Sequence, residues 1–518
     1  AALLDDTAPL RRLGGEPARP GTPTSDTDAD LPDAATLLQQ WLSFYGPVSP
    51  QWVADTLGLT PGRLDLLLED LLDTDRAVAG PLLRNGPADS VCDTENLEIL
   101  LRMTRAAARP VLPTRPVTDL PRFLMKWQRL NRQESSPEAL GEILEQLEAL
   151  PLPAERWETE ILPARLDAYD PAWLDLLLQQ EDLFWIGDED RCLRFCFGSD
   201  LVTGPTDADT TANATLLSEE EGRKTFRELQ MNTEPDTAKL TETLWQDVWN
   251  GRITNTTFAV VRTGLETGFR PPETPRPQPG RRRRTRRRAF ARRQPGVPFA
   301  GAWYRVPAEP PPDDALSAEE ETRERARILL NRYGVVFREL LEREAPGFRW
   351  NDVFPALRRM ELAGEAVTGQ FFEGPGGPQF ACRRAVARLR NDPQDSNVIW
   401  CSATDPASLC GVRLPGLENL PRRVPSNHLV YRDGRLVLVS KRSGRELLFS
   451  VPPDDPDMAD ILAPLHHLLQ RPVNPARSIA VKTVNGENPR HSPYLAALKN
   501  HFDVATDPRQ AVLYRKPL

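Results

Sequence analysis

The side chains best suited to bind a ligand form a run of arginines in the middle of the chain. Between Arg270 and Arg293 the sequence has eleven arginines and one acid, Glu273. The arginine side chain forms bidentate hydrogen bonds to phosphate oxygens, and its planar group stacks on bases. A run of like charges is often only a solvated loop, but this one is all arginine and lies between two patterned regions. We therefore predict that it binds nucleic acid through Arg281, Arg282, Arg283, Arg284, Arg286, Arg287, Arg288, Arg292 and Arg293.

Aromatic residues accompany this run, at Phe290, Phe299, Trp303 and Tyr304. Aromatic rings beside a basic groove are the usual platforms on which unpaired bases stack. The whole chain has a formal net charge of −9, which argues against a protein that coats DNA along its length. The balance favours one concentrated basic site.

A second group of arginines lies on a predicted helix in FRWNDVFPALRRMELAG, at Arg349, Arg358 and Arg359. This helix is the third of a unit that ends in a Gly-rich hairpin, so it occupies the position that enters the major groove in winged-helix proteins. The alternative is that these arginines pair with Glu361 or only face solvent. The hairpin, flanked by Gln370 and Gln379, is expected either to protrude as a wedge or to form an ordinary wing.

The third helix of the first such unit has the opposite charge. Its predicted solvent face carries four acids, Asp65, Glu69, Asp70 and Asp73, and phosphates would be repelled by that face. We expect this unit to serve as a scaffold or to pack against protein.

Several site types lack a signature in this sequence. The six cysteines form no CxxC pair and the five histidines show no metal spacing, so we predict reduced thiols, a cytoplasmic protein and no metal site. No apolar run is long enough to span a bilayer. There is no G-x-x-x-x-G-K-[ST] motif, so we expect no cofactor in this chain. The start lacks Met and a signal-peptide core, and we interpret it as the cut edge of a larger protein.

The elements that position these residues form repeated small units. At 518 residues with 51 prolines, the chain is expected to have several domains with short elements. Short helices followed by a hairpin recur along it, with start signals such as Ser49–Pro50. After Asp392, β-branched runs with hairpin signals such as Asp433–Gly434 indicate a small barrel. The predicted fold class is α+β and multi-domain, with tandem winged-helix modules followed by a small β-barrel module.

The predicted boundaries follow from these composition changes. They are a linker or remnant at 1–33, winged helices at 34–110, 118–200, 218–268 and 317–390, the Arg-rich segment at 270–300, and the β-barrel module with covering helices at 393–518.

Several stretches, in order along the chain, resemble the Lhr (large helicase-related) family. They include FYGPVSPQWVADTLGL, LWQDVWNGRITNTTF with the arginine run after it, GAWYRVP, and VNGENPRHSPYLAAL. The resemblance is to the C-terminal half of the long bacterial form, and it implies tandem winged helices and a β-barrel similar to AlkZ-type DNA glycosylases. It also implies DNA repair, self-association as a tetramer, and an ATP- and Mg-dependent 3′-to-5′ DNA helicase core outside this chain.

Two functions remain open from the sequence. The first is a non-catalytic half that binds single-stranded or duplex DNA, oligomerises and anchors the helicase core. The second is a monofunctional DNA glycosylase acting on uracil or an alkylated base, which would flip the base out of the stack.

AlkZ-type enzymes have paired polar residues, Gln first and Gln or Asp two positions later, and Gln128 here is followed by Leu130. Gln128 and, as a carboxylate beside the last strand, Asp507 are the catalytic candidates. The alternative for Gln128 is a helix-surface or buried hydrogen-bonding residue, and the alternative for Asp507 is a turn before Pro508.

Overall fold

The computed structural model describes residues 34–83, 86–108, 113–130, 134–180, 182–198, 216–217, 222–232, 234, 236–270, 300–307, 314–391 and 397–516. The predicted linker at 1–33 and the arginines between Arg281 and Arg293 lie outside this part of the chain. The chain divides into two compact units, Ala1–Val111 and Leu112–Leu518.

The first unit has three helices and a hairpin, in the predicted order. Its elements are α1 (Ala34–Leu42), α2 (Pro50–Leu57), α3 (Pro61–Asp73), β1 (Ala77–Gly80), β2 (Ser90–Asp93) and α4 (Thr94–Ala108). The Ser49 hydroxyl accepts a hydrogen bond from the Trp52 N–H and begins α2, as its sequence indicates. Val48 forms an isolated antiparallel bridge with Val91, which ties the segment before α2 to the hairpin. The four acids of α3 are exposed, as expected.

The second unit begins with a helical module that contains an irregular helix. Its elements are α5 (Leu120–Trp127), α6 (Pro137–Gln146), β3 (Leu152–Pro153), α7 (Ala154–Arg156), a π-helix (Trp157–Ile161), α8 (Leu162–Arg165), α9 (Pro171–Leu177), β4 (Leu183–Asp188) and β5 (Cys192–Phe197). The strand order is β3-β5-β4. Sequence patterning missed the π-helix because its polar residues, Glu158, Thr159 and Glu160, are buried.

The next module continues across the Arg-rich segment. It comprises β6 (Lys224–Thr225), α10 (Phe226–Asn232), α11 (Thr237–Trp249), β7 (Ile253–Asn255), α12 (Ala259–Thr267) and β8 (Ala302–Arg305), with the strand order β6-β8-β7. The predicted end at residue 268 therefore leaves out the central strand of this sheet.

The modules on either side of residue 200 share one hydrophobic core. A Cβ atom on Gly187 would lie 2.2 Å from the Val248 carbonyl oxygen, so only glycine allows this approach. The sequence had predicted two separate units here.

The next module has the element order of a winged helix. It consists of α13 (Ala315–Tyr333), β9 (Val335–Val336), α14 (Arg338–Leu341), α15 (Trp350–Ala363), β10 (Ala366–Gly369), β11 (Gln379–Cys382) and α16 (Arg383–Arg390). Its strand order, β10-β11-β9, has the last strand in the centre, as in β4-β5-β3. The third helix, α15, ends at Gly364, whose φ of 79° is left-handed.

The last region is an open arrangement of two sheets. Its elements are β12 (Val398–Ser402), β13 (His428–Arg432), β14 (Arg435–Lys441), β15 (Glu446–Phe449), α17 (Met458–Ile461), α18 (Ala463–Gln470), β16 (Ile479–Val481), β17 (Thr483–Val484), α19 (Leu495–His501), β18 (Asp503–Thr506) and β19 (Ala511–Tyr514). One sheet has the order β12-β13-β14-β15-β17 and the other β16-β19-β18.

The predicted barrel is therefore not supported, because no sheet closes on itself among the described residues of this region. Its first strand, β12, is an edge strand of the larger sheet and contacts α17 and α18. At the opposite edge, β17 has two residues, which pair with β15 in parallel. The hairpin turn at Asp433–Gly434 forms as predicted, and a second hairpin turn lies at Ser443–Gly444.

Candidate nucleic-acid interface

Helix α15 presents arginines on its solvent side. Its core side is formed by Val353, Ala356, Leu357 and Met360, and Arg358 and Arg359 lie on the exposed side because they fall between these positions. The Arg359 guanidinium pairs with the Glu319 carboxylate, with Nε and Oε1 2.7 Å apart. Arg358 has no ion pair within the part of the chain that the structure describes. Arg358 can therefore be offered to a phosphate, whereas Arg359 would have to exchange its Glu319 partner for one.

Arg349 stands at the start of the same helix and is exposed. Its Nε donates a hydrogen bond to the Glu344 carbonyl oxygen at 3.3 Å. Since this partner is a neutral carbonyl group, the positive charge of Arg349 is not cancelled by the bond. The three sequence-predicted arginines of this unit thus belong to one helix, with Arg349 at its N-cap and Arg358 and Arg359 in its C-terminal half.

The Gly-rich hairpin between β10 and β11 is tied to neighbouring segments and does not protrude freely. Arg115 donates its N–H to the Phe371 carbonyl oxygen at 2.9 Å and accepts from the Glu373 N–H at 2.8 Å. The Gly376 N–H donates to the Glu339 carboxylate at 2.9 Å. These bonds anchor the hairpin to neighbouring segments, and the choice between a wedge and an ordinary wing stays a prediction.

Gln379 is the residue that shapes this hairpin. It is fully buried, and its side-chain oxygen accepts from the N–H groups of Phe371 and Phe372, both at 3.0 Å. Its amide donates to the Phe372 carbonyl oxygen and to the side-chain oxygen of Gln370. These bonds occupy Gln379 fully, so its role is structural.

Helix α12 ends just before the Arg-rich segment, and strand β8 begins just after it. The aromatic residues expected to stack on bases beside this segment are only partly exposed. Trp303 is fully buried in the core shared with α11, so it cannot stack on a base. Tyr304 is half-buried, and the Arg223 guanidinium lies 5.2 Å from its ring centre. Phe290 and Phe299 lie outside the described residues.

Gln128 is a buried residue within a polar network. Its amide nitrogen donates to the Arg332 carbonyl oxygen at 3.0 Å, and its oxygen accepts from Arg165 Nη2 at 2.8 Å. Arg165 in turn donates to both carboxylate oxygens of Asp405, at 2.8 and 2.9 Å. Gln128 therefore orients a buried arginine, and its side chain has no exposed surface to offer a substrate.

A polar cavity of about 380 Å³ lies beside this network, and we call it the α6 cavity. Its charged lining residues are Lys126, Arg129, Glu134, Glu142, Arg165 and Arg388. Arg129 has a φ of 61°, which is unusual for a residue with a side chain, and it pairs with Glu142. The volume of the cavity falls in the range of small-ligand pockets.

Asp507 shapes a turn. Its Oδ1 accepts from the backbone N–H of Arg509 at 2.7 Å and of Gln510 at 2.9 Å. These hydrogen bonds favour the ionised carboxylate and lower the pKa of Asp507. The geometry matches the structural alternative, a turn between β18 and β19.

Comparison with known proteins identifies two of these modules. Residues 116–195 and residues 315–400 each match the family described as "Large helicase-related protein, winged-helix domain". The two regions are Lhr winged-helix domains. The first contains Gln128 and the π-helix, and the second contains α15 and α16.

Two curated proteins are similar to the chain over most of its length. The Lhr helicase/probable uracil glycosylase of Mycolicibacterium smegmatis is 28% identical over 475 residues, which cover 86% of this chain and 31% of that protein. The Lhr helicase/uracil glycosylase of Escherichia coli is 28% identical over 407 residues, which cover 67% of this chain and 25% of that protein. The chain thus spans less than a third of the length of either relative.

Among solved structures, the DNA glycosylase AlkZ of Streptomyces sahachiroi is similar with a TM-score of 0.40 and 12% identity. The superposition covers 68% of this chain and 96% of AlkZ.

The second Lhr winged-helix domain has a basic helix that sequence reasoning missed. Helix α16 reads RRAVARLR and exposes Arg383, Arg384, Arg388 and Arg390. The signal was present as four arginines without an acid in eight residues. It was overlooked because the longer arginine run dominated the charge pattern.

The π-helix of the first Lhr winged-helix domain holds two buried carboxylates. Glu158 accepts from Arg262 Nε at 2.8 Å and Nη2 at 2.9 Å. Glu160 pairs with His428 Nε2 at 3.1 Å and Arg471 Nη1 at 2.9 Å. Burial alone would raise the pKa of Glu160, but these neighbours and His467 outweigh it, so the pKa is lowered.

The described residues show no metal-binding group of three or more His, Cys, Asp or Glu side chains. All six cysteines are unpaired, and burial raises the pKa of Cys196 to about 12, so its thiolate is disfavoured. None of the helices that the structure describes has the length and apolar character needed to cross a membrane.

Proposed function

We propose that this chain is the DNA-binding and oligomerising region of an Lhr-type helicase involved in DNA repair. The observation that carries the proposal is α15, the third helix of an Lhr winged-helix domain, with Arg349, Arg358 and Arg359 on its surface. In winged-helix proteins this helix contacts the groove of a duplex. Its arginines supply the phosphate contacts on which affinity depends.

The remaining parts of the proposal concern the whole protein. Hydrolysis of ATP, with Mg²⁺, belongs to a helicase core on the same polypeptide. Association of this region into a tetramer is a further part of the proposal, and the exposed Ile99 and Met103 of helix α4, at 49% and 63% of their surface, are apolar side chains that a subunit contact would cover. The mass of the chain in solution tests this part. We place the protein in the cytoplasm, where six unpaired thiols remain reduced.

The test of DNA binding uses the double variant Arg358→Gln, Arg359→Gln. Its affinity for a labelled duplex is expected to fall by more than its affinity for a single strand, because a duplex groove accepts the helix. Arg442→Gln is the control, since Arg442 is an exposed arginine paired with Glu446 on a β-hairpin. Equal losses on both DNA forms would contradict groove insertion, and wild-type affinity in the double variant would refute the role of α15.

A second candidate function is a DNA glycosylase acting on uracil or an alkylated base. The α6 cavity favours it, because two carboxylates, Glu134 and Glu142, line a polar pocket whose wall includes Arg165, the hydrogen-bond partner of Gln128. A carboxylate beside the sugar can stabilise the positive charge that develops when the base leaves. The names of the two curated relatives mention uracil glycosylase as well.

The experiment for this second function needs no ATP. Labelled duplex and single strands that contain uracil or an alkylated base are incubated with the chain and then treated with alkali. A specific product that is lost in Glu134→Gln or Glu142→Gln would establish the enzyme. Binding without any product would leave the DNA-anchoring function alone.

A further inference from the structure

Helix α16 separates a core side from a strongly basic side. Ala385, Val386 and Leu389 are buried in the main core of the second unit, and the four arginines are exposed. Arg384 and Arg388 are four positions apart, so their side chains lie on the same face, about 5–6 Å from each other at Cβ. The exposed face is thus a short line of guanidinium groups.

The first two arginines of this line have neutral partners. Arg383 donates from Nε and Nη2 to the Gly364 carbonyl oxygen, at 3.1 and 2.7 Å. Arg384 donates from Nη2 to the Asn331 side-chain oxygen at 3.3 Å. Among the described residues, neither arginine has a carboxylate partner.

The arginines of the neighbouring helix α13 differ in this respect. Arg323 and Arg327 both pair with Glu365 and Glu320. Positive potential is therefore retained at the start of α16 and balanced on α13.

Arg384 also has an aromatic ring beneath it. Its Cζ atom lies 4.6 Å from the ring centre of Trp127, which is only 3% exposed. Trp127 is fixed by its Nε1–H, which donates to the Asn331 carbonyl oxygen at 2.9 Å. Gly334, with a φ of 71°, makes room for the ring, since a Cβ atom there would lie 2.8 Å from it. One face of the guanidinium is thus covered while the residue remains exposed to solvent.

Two concave surfaces meet at α16. A groove of about 610 Å³, which we call the α16 groove, is lined by Arg383 and Arg384 together with Asn331 and Met360. The α6 cavity is lined by Arg388, about one helical turn further along. Two of the acidic residues that line these surfaces already have ion-pair partners. Glu365 of the α16 groove pairs with Arg327, and Glu142 of the α6 cavity pairs with Arg129.

We propose that a single strand of nucleic acid crosses α16 from the α16 groove to the α6 cavity. Arg383 and Arg388 bind its phosphates, and an unpaired base stacks on the free face of the Arg384 guanidinium. A guanidinium plane above a fixed indole is a stacking platform for any base. A base within a duplex cannot stack there because both of its faces are covered. This inference rests on the proposed DNA-binding function and adds a strand-specific site apart from α15.

The experiment separates phosphate contacts from stacking. The probes are fluorescein-labelled dT20 and an oligomer of the same length whose residues are abasic spacers. The variant Arg383→Gln, Arg388→Gln is expected to weaken both probes and to reduce the slope of log affinity against log salt by about 1.4, or 0.7 for each phosphate released. The variant Arg384→Lys keeps the positive charge but lacks the planar guanidinium group. It is expected to weaken dT20 binding about tenfold and to leave the abasic probe unchanged.

The controls distinguish this site from α15. Arg442→Gln is expected to bind both probes like the wild type, and circular dichroism with thermal melting confirms that each variant is folded. Wild-type affinity for dT20 in Arg384→Lys, or an unchanged salt slope in the double variant, would overturn the inference. If the wild type binds no nucleic acid at all, the proposed function fails as well. If only the α15 variant loses affinity, the proposed function stands without this site.

Discussion

Arg165 and Asp405 form a buried, doubly hydrogen-bonded ion pair across 240 positions of sequence. Arg165 ends the irregular helix of the first Lhr winged-helix domain, and Asp405 lies in the turn after β12. Each side chain is at most 1% exposed. The carboxylate also accepts from the Ala407 N–H at 2.8 Å. This pair joins the winged-helix domain to the C-terminal sheet.

Asp405→Ala is expected to lower the free energy of unfolding by about 3–5 kcal/mol, because it leaves the Arg165 charge buried without a partner. Urea unfolding, followed by tryptophan fluorescence, measures the change. Asp503→Ala is the matched control, since Asp503 is exposed on an edge strand. A decrease in Asp405→Ala no larger than in the control would show that the pair does not stabilise the fold.

Stability is expected to fall in acid through Glu160. Because the folded pKa of Glu160 is lowered below its ordinary value of 4.5, its ionised form stabilises the fold above that pH. This contribution is lost as the pH falls through the folded pKa. The variant Glu160→Gln should therefore show a weaker pH dependence of the unfolding free energy below about pH 5 than the wild type.

Glu242→Gln, at an exposed position of α11, is the control and should titrate like the wild type. If Glu160→Gln follows the wild-type profile, the carboxylate does not couple folding to pH.

Gln128→Leu is expected to destabilise the chain by about 1–3 kcal/mol, since the Arg165 guanidinium and the Arg332 carbonyl group would each lose a buried partner. Thermal unfolding measures this effect. DNA affinity should remain within about twofold of the wild type at a temperature where both proteins are folded. A base-release activity that disappears in this variant without any loss of stability would restore Gln128 as a catalytic candidate.

The arginine run is expected to control the salt dependence of DNA binding. Replacing the nine arginines between Arg281 and Arg293 with Gln should reduce the slope of log affinity against log salt. The expected reduction is about 0.9 for each duplex phosphate that is no longer neutralised, or 0.7 for a phosphate of a single strand. The measurement is a salt titration of affinity at constant pH. A variant with the wild-type slope would show that these arginines make no contact with DNA phosphates.

Local signals in the sequence predicted most helices and hairpins of the fold. The cap at Ser136 and the proline after it begin α6, and Asp170 with Pro171 begins α9 in the same way. Such signals work because a cap bonds to backbone within one turn of itself. The exposed arginines of α15 followed from the same local periodicity.

Interactions distant in sequence could not be predicted from such signals. The partner of Arg165 lies in another module, and the central position of β8 depends on a pairing with β6 that no local pattern encodes. Trp303 is a further example. The alternating pattern of its strand is compatible with a buried ring and also with an exposed ring that stacks on a base. The structure assigns it to the core.

The π-helix has a mechanical consequence for the second unit. Its two carboxylates reach in different directions, Glu158 to Arg262 and Glu160 to Arg471. Bending the chain at the π-helix would separate a buried glutamate from its arginine partner. The buried charge would then be unpaired, which costs free energy. The π-helix and the two segments that contain Arg262 and Arg471 are therefore expected to move as one rigid body. Under the proposed DNA-binding function, the nucleic acid is therefore expected to adapt its shape to this rigid surface.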